Sequence, residues 1–160
     1  MSESVDLVTH NDIVVRASAR QIWPYIVDPT KWKSAVRLIA VDGAPCGIGR
    51  RYRAAMPNDR DNVLFLVEDV EWFVERRRTI RLNEAEGALI GFSSWELTPA
   101  GRATKVTYDV YCQLQMPDAV VSEVSTDRSS TREDFHLANH RRFAEELTVL
   151  KRLVEGGTDE

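Results

Sequence analysis

The apolar positions along this chain keep a helical period near the start, a strand period through the middle and a helical period again near the end. Leu7 to Arg16 finishes as Ile13-Val14-Val15, a β-branched stretch that predicts a strand. Ile22, Trp23, Ile26 and Val27 then recur at helical spacing behind Ser18, which suits an N-cap. Asp28-Pro29 stops that helix, because the residue before a proline avoids the α region. Thr30 to Ser34 reads as a second short helix or turn carrying Trp32. From Val36 to Met116 the pattern alternates, predicting strands over Val36–Asp42, Arg50–Met56, Val63–Val74, Arg78–Leu82, Ala88–Thr98 and Thr104–Met116. One irregularity is expected near Glu68-Asp69, and Pro99-Ala100-Gly101 reads as a tight hairpin turn.

Ser130 to Glu155 predicts a long helix, about seven turns at 3.6 residues each. Phe135, Phe143, Leu147, Leu150, Leu153 and Val154 recur at three- and four-residue spacings, and Gly156-Gly157 ends the run. The stripe is interrupted by polar groups: Asn139 projects near its middle, His136 and Glu146 fall inside it, and Arg142 lies at its edge. An unpartnered polar group facing a dry core costs about 1–3 kcal/mol. Either these groups find partners on a wetted face, or the helix covers a ligand cavity. The order of elements predicts an α+β domain, an antiparallel sheet of about seven strands curved around one C-terminal helix.

The chain has 160 residues without a break in composition, so a single domain spanning 1–160 is expected. A formal net charge of −4 argues against a nucleic-acid partner. Arg76-Arg77-Arg78 follows Glu71 and Glu75 and reads as a solvated strand end. No apolar run approaches the ~18 residues that would insert in a bilayer. The start, Met-Ser-Glu-Ser-Val-Asp, lacks the apolar core of a signal peptide, and Cys46 and Cys112 are unclustered. A cytoplasmic protein with reduced thiols is the expectation. Gly43 to Gly49 contains three glycines without the spacing of a phosphate-binding loop.

Ile13-Val14-Val15, Ala19-x-x-Ile22-Trp23-x-x-Ile26, Asp28-Pro29-x-x-Trp32, Trp95-x-Leu97-Thr98-Pro99 and Leu147-x-x-Leu150-Lys151-x-x-Val154 come in a particular order. In that order the chain resembles the START-like superfamily, also called SRPBCC, of polyketide cyclase/dehydrase and lipid-transport proteins. The resemblance covers nearly the whole chain. It implies a helix-grip fold with an apolar cavity between sheet and helix that takes a lipid- or polyketide-like molecule. It carries no catalytic signature common to all members. Some relatives are aromatase/cyclases, and others are co-chaperones that act as protein-interaction modules.

A cavity in such a fold is lined by inward strand faces and the helix stripe. Tyr52, Ala54 and Met56 share one strand face, with Phe65 on the next strand. Leu89, Gly91, Ser93 and Trp95 share another face, and Tyr108, Val110 and Cys112 a third. Asn139, Arg142, Phe143 and Glu146 come from the helix. Small residues at Ala54, Gly91 and Ser93 leave room. These residues are the candidates for binding a hydrophobic or aromatic ligand. For a cyclase or dehydratase, His136 is the candidate proton shuttle and Tyr108 the candidate donor. His136 and His140 stand at i, i+4 but lack the Glu of a zinc protease motif and any cysteine cluster, and no iron-ligand set is present. No metal and no other cofactor is expected, and the long strands are compatible with a homodimer.

Overall fold

The computed structural model describes residues 3–32, 37–57, 62–84, 89–116 and 128–156. Strands β1 (Glu3–Val15), β2 (Arg37–Gly43), β3 (Arg50–Pro57), β4 (Asn62–Phe73), β5 (Arg77–Glu84), β6 (Leu89–Ala100) and β7 (Ala103–Met116) form one antiparallel sheet. Its order is β1-β7-β6-β5-β4-β3-β2, so each of β2 to β6 lies beside the strand that follows it and β1 closes on β7. Helix α1 (Ala19–Val27) and a 3₁₀ turn at Pro29–Lys31 lead from one sheet edge to the other. Helix α2 (Arg128–Gly156) completes the helix-grip fold.

β1 starts at Glu3 rather than Leu7, because its first residues pair with the end of β7, from Glu3 opposite Met116 onward. Ladder hydrogen bonds need no apolar side chain, so the hydrophobic pattern gave no sign of this extension. Alternation sorts the faces as expected: Gly91, Ser93, Trp95 and Leu97 of β6 are buried while Ile90, Phe92 and Glu96 are exposed. The β6–β7 hairpin turns at Gly101, whose φ of 65° is the left-handed conformation glycine adopts without strain. The expected irregularity in β4 is a register shift between Asp69 and Glu71. It resets the alternation, so that Phe65, Val67, Asp69 and then Trp72 all face inward.

α1 begins with a capping box, in which Ser18 and Gln21 each accept from the other's backbone N–H. Ile22, Trp23 and Ile26 are its buried face. The last carbonyls of a helix have no intrahelical partner, and here Trp32 Nε1 donates to Tyr25 O at 2.8 Å.

α2 begins at Arg128, two residues ahead of the predicted Ser130, and buries Phe143, Leu147, Leu150 and Val154. Leu153, expected in the stripe, is 41% exposed, because it lies about 100° around the helix from Val154. The end of α2 is latched to the β1–α1 corner. Lys151 Nζ donates to Val14 O at 2.6 Å, and Glu155 Oε1 accepts from Arg16 N at 2.8 Å and Lys151 Nζ at 2.9 Å. These hydrogen bonds hold Glu155 well below its ordinary 4.5, at about 2, with the Arg16 backbone N–H contributing most. The predicted connection Pro117–Ser129 lies outside the described residues as far as 127.

Candidate ligand cavity

Antiparallel register brings inward side chains into rows across the sheet. One row runs Leu7, Cys112, Gly91, Leu82, Val67, Tyr52. The next runs Thr9, Val110, Ser93, Ile80, Asp69, and a third Asn11, Tyr108, Trp95, Arg78, Trp72. Ala54 and Phe65 pair beyond the first row. Between these rows and α2 lies a cavity of about 120 Å³. The sheet gives it Tyr52, Ala54, Phe65 and Val67 on one side, and Leu89, Ser93, Val110 and Cys112 on the other. Arg142, Phe143 and Glu146 of α2 cover it, Pro29 borders it, and Arg78, Trp95 and Tyr108 form its aromatic end.

The aromatic end is a continuous stack. Tyr108 lies parallel to Trp95 with centroids 4.9 Å apart and 8° between the planes, and Phe143 meets Tyr108 edge-on at 5.3 Å. The Arg78 guanidinium sits 5.6 Å from the Trp95 ring and 5.8 Å from the Trp72 ring, and so lies within cation–π range of both. Trp72 is braced in turn by Trp23 of α1, edge-on at 5.6 Å.

Arg78 is 0% exposed, which corrects its assignment to a solvated basic run. Arg76 is exposed in the turn before β5 and Arg77 is exposed on the outward face, whereas Arg78 lies within β5 at the inward parity of Ile80 and Leu82. Its Nε donates to Asp69 Oδ1 at 2.5 Å, Nη2 to Tyr52 Oη at 3.1 Å and Asp69 Oδ2 at 3.3 Å, and Nη1 to Ile26 O at 2.6 Å. Asp69, also 0% exposed, accepts from Arg50 Nε at 2.9 Å, while Arg50 Nη2 donates to Val27 O at 2.8 Å. Two guanidinium groups thus share one buried carboxylate and take the last carbonyls of α1. Burial alone would push the Arg78 pKa down, but the Tyr52 oxygen and the Asp69 carboxylate outweigh it and the pKa is raised.

Gly91, proposed from sequence as a lining residue, does not reach the cavity. A Cβ there would come within 2.3 Å of Tyr111 O and 2.7 Å of Cys112 Sγ, so the missing side chain is space for the neighbouring strand. Asn139 and His136 do not line it either. Among the described residues one turn of α2, Arg142 to Glu146, covers the cavity, and these half-buried residues lie one and two turns further toward its N-terminus, engaged in interactions of their own. The Met56 side chain falls outside the described residues. All the other sequence candidates converge, joined by Pro29, Val67, Arg78, Ile80 and Leu82, which sequence reasoning missed. Strand parity was the available signal: Val67 follows Phe65, and Ile80 and Leu82 share one face. Cys112, inside the cavity, has its thiol pushed up by burial to about 11, with the Arg142 charge pulling the other way. A second cavity, of about 160 Å³, shares Tyr52 and Pro29 with the first; Val27, Asp28, Leu38 and Arg50 also line it.

Among the described residues no group of three or more His, Cys, Asp or Glu could hold a metal ion, and no helix is long and apolar enough to cross a membrane.

A seven-stranded sheet gripping a long C-terminal helix over a largely apolar cavity defines a helix-grip protein of the START-like type. The family described as polyketide cyclase/dehydrase and lipid transport matches residues 7–155, and the chain belongs to it. No curated protein matches the sequence. Among solved structures, the chain is similar to TTHA0849 from Thermus thermophilus, at 18% identity and a TM-score of 0.68 over 95% of this chain and 99% of that one. A conserved protein from Geobacillus kaustophilus is 12% identical with a TM-score of 0.65, covering 92% and 95%. Truncated norcoclaurine synthase from Thalictrum flavum is 15% identical with a TM-score of 0.60, covering 96% of each chain. At these identities the likeness is one of fold.

Proposed function

We propose that this protein binds a small hydrophobic or aromatic molecule between its sheet and α2 and carries it without turnover. The observation that supports this is the cavity itself, largely apolar and bounded by the Trp95–Tyr108–Phe143 stack. An apolar cavity of about 150 Å³ holds a benzene molecule. At about 120 Å³ this one suits a single ring or a short aliphatic segment, and a longer molecule extends out of it. Two of the ionisable groups on its wall are unsuited to turnover at neutral pH: Arg78 is committed to Asp69, Tyr52 and Ile26, and a Cys112 thiol pushed up to about 11 stays protonated. Native mass spectrometry of protein purified from its source, followed by extraction, tests the reading. The expected result is a co-purifying hydrophobic molecule, lost when Ala54→Phe fills the cavity. A clean apo mass, together with no thermal shift from millimolar benzyl alcohol or 3-phenylpropan-1-ol, would overturn it.

A further inference from the structure

Resting on that reading, we propose that the ligand is amphipathic and acidic, with its carboxylate (or an equivalent anion) received by Arg142 at the cavity's edge and its ring or chain inside. Arg142 is exposed, yet it contributes to the cavity wall. Its guanidinium lies 4.7 Å from the Phe143 ring centroid, so the aromatic face fixes its position while its N–H edges stay available. The two cations on this wall differ in one respect. Arg78 gives its donors to Asp69, Tyr52 and Ile26, whereas Arg142 has no carboxylate or carbonyl partner among the described residues. Glu146 stands at i+4 from Arg142, lines the same cavity and is engaged in an interaction of its own.

The charge around the cavity favours an anion even though the whole chain carries a net −4. Among the described residues that line the cavity or join the Asp69 cluster beside it, three guanidinium groups, of Arg78, Arg50 and Arg142, stand against two carboxylates, Asp69 and Glu146. The Arg142 charge is felt inside, where it acts on Cys112 against the effect of burial. A guanidinium fork fits a carboxylate with two parallel hydrogen bonds, and an unpaired fork next to an apolar cavity matches a molecule with an apolar body and an acidic end.

The test compares two probes that differ only in the acidic group, 3-phenylpropanoate and 3-phenylpropan-1-ol, titrated calorimetrically at pH 7.5 into the wild-type chain and into Arg142→Gln. A charge-assisted pair predicts that the acid binds wild type about tenfold tighter than the alcohol. Arg142→Gln should remove that preference and leave the alcohol's affinity in place, and Arg142→Lys should restore only part of it. Equal binding of both probes to wild type, or a preference that survives Arg142→Gln, overturns the inference while the cavity reading stands. Binding of neither probe overturns both.

Discussion

Asp69→Asn is the substitution that most directly tests how the polar core is built. The carboxylate is 0% exposed and accepts from Arg78 Nε at 2.5 Å, Arg78 Nη2 at 3.3 Å and Arg50 Nε at 2.9 Å. Asparagine keeps the shape but turns one acceptor into an NH₂ facing a guanidinium, and it removes the only negative charge these two arginines pair with among the described residues. Arg50, at 16% side-chain exposure, can recover some hydration; Arg78, at 1%, cannot. Breaking a buried ion pair by removing one partner costs about 3–5 kcal/mol, and the smaller share available to Arg50 keeps the expected loss inside that range. That is a large part of the ~5–15 kcal/mol that stabilises a typical domain. Urea unfolding followed by the fluorescence of the four tryptophans would measure it, with an unchanged slope required for a two-state comparison. The double variant Asp69→Leu/Arg78→Met should recover at least ~2 kcal/mol relative to the sum of its singles, since no unpaired charge stays buried at that position. A loss below ~1 kcal/mol for Asp69→Asn, or strict additivity in the double variant, would refute the reasoning.

Gly91→Ala should cost about 1–3 kcal/mol or more, because the nearest atom to the new Cβ, at 2.3 Å, is a backbone oxygen on β7 that cannot swing aside; a urea midpoint equal to wild type would contradict this. Glu155 has a folded-state value of about 2 against an ordinary 4.5, so its contribution to stability is present above pH 4.5 and is lost as pH falls toward 2. Glu155→Gln should flatten that part of the melting temperature's pH dependence, and superimposable acid limbs would count against the latch. In native protein at pH 8, iodoacetamide should modify exposed Cys46 and spare buried Cys112, both reacting once the chain is unfolded; equal native rates, read by peptide mass spectrometry, would show that Cys112 is accessible. Thr9 Oγ1 is buried without a hydrogen-bond partner among the described residues, so Thr9→Val should stabilise the fold by about 1 kcal/mol, and a lower melting temperature would mean that the hydroxyl is satisfied after all.

The fold was legible because strand and helix periods differ, and each inner strand presents one apolar face. Ala54, Ser93, Trp95, Tyr108 and Cys112 were proposed from strand parity together with the cavity that the resemblance implies, and the register places them around one cavity. Parity failed where a residue's chemistry was allowed to overrule its position. Arg78 has the same parity as Ile80 and Leu82, but two neighbouring arginines made it look like part of a solvated run. Asp69 follows Phe65 and Val67, and only the register shift after it was anticipated. On the helix the error was one of extent. The stripe gives the direction a side chain takes but not how far along α2 the cavity reaches, so His136 and Asn139 were grouped with Phe143 and Glu146.

The Arg78–Asp69–Arg50 cluster also explains how a short helix can form part of the cavity's border. α1 ends at Val27, directly before Asp28 and Pro29, and Pro29 lines both cavities. A proline-terminated helix of 9 residues cannot hold its own last turn, since isolated helices below ~12–15 residues are marginal. Here Tyr25 O, Ile26 O and Val27 O accept from Trp32, Arg78 and Arg50, one donor each. Cationic donors at a helix C-terminus also oppose its partial negative charge. The same guanidinium that caps α1 donates to Tyr52 Oη on the cavity wall, so the position of Pro29 and the orientation of Tyr52 depend on one buried charge. Loss of Asp69 should therefore loosen the cavity's Pro29 side before the rest of the sheet. The cost of burying the cluster thus goes into the shape of the site as well as the stability of the fold.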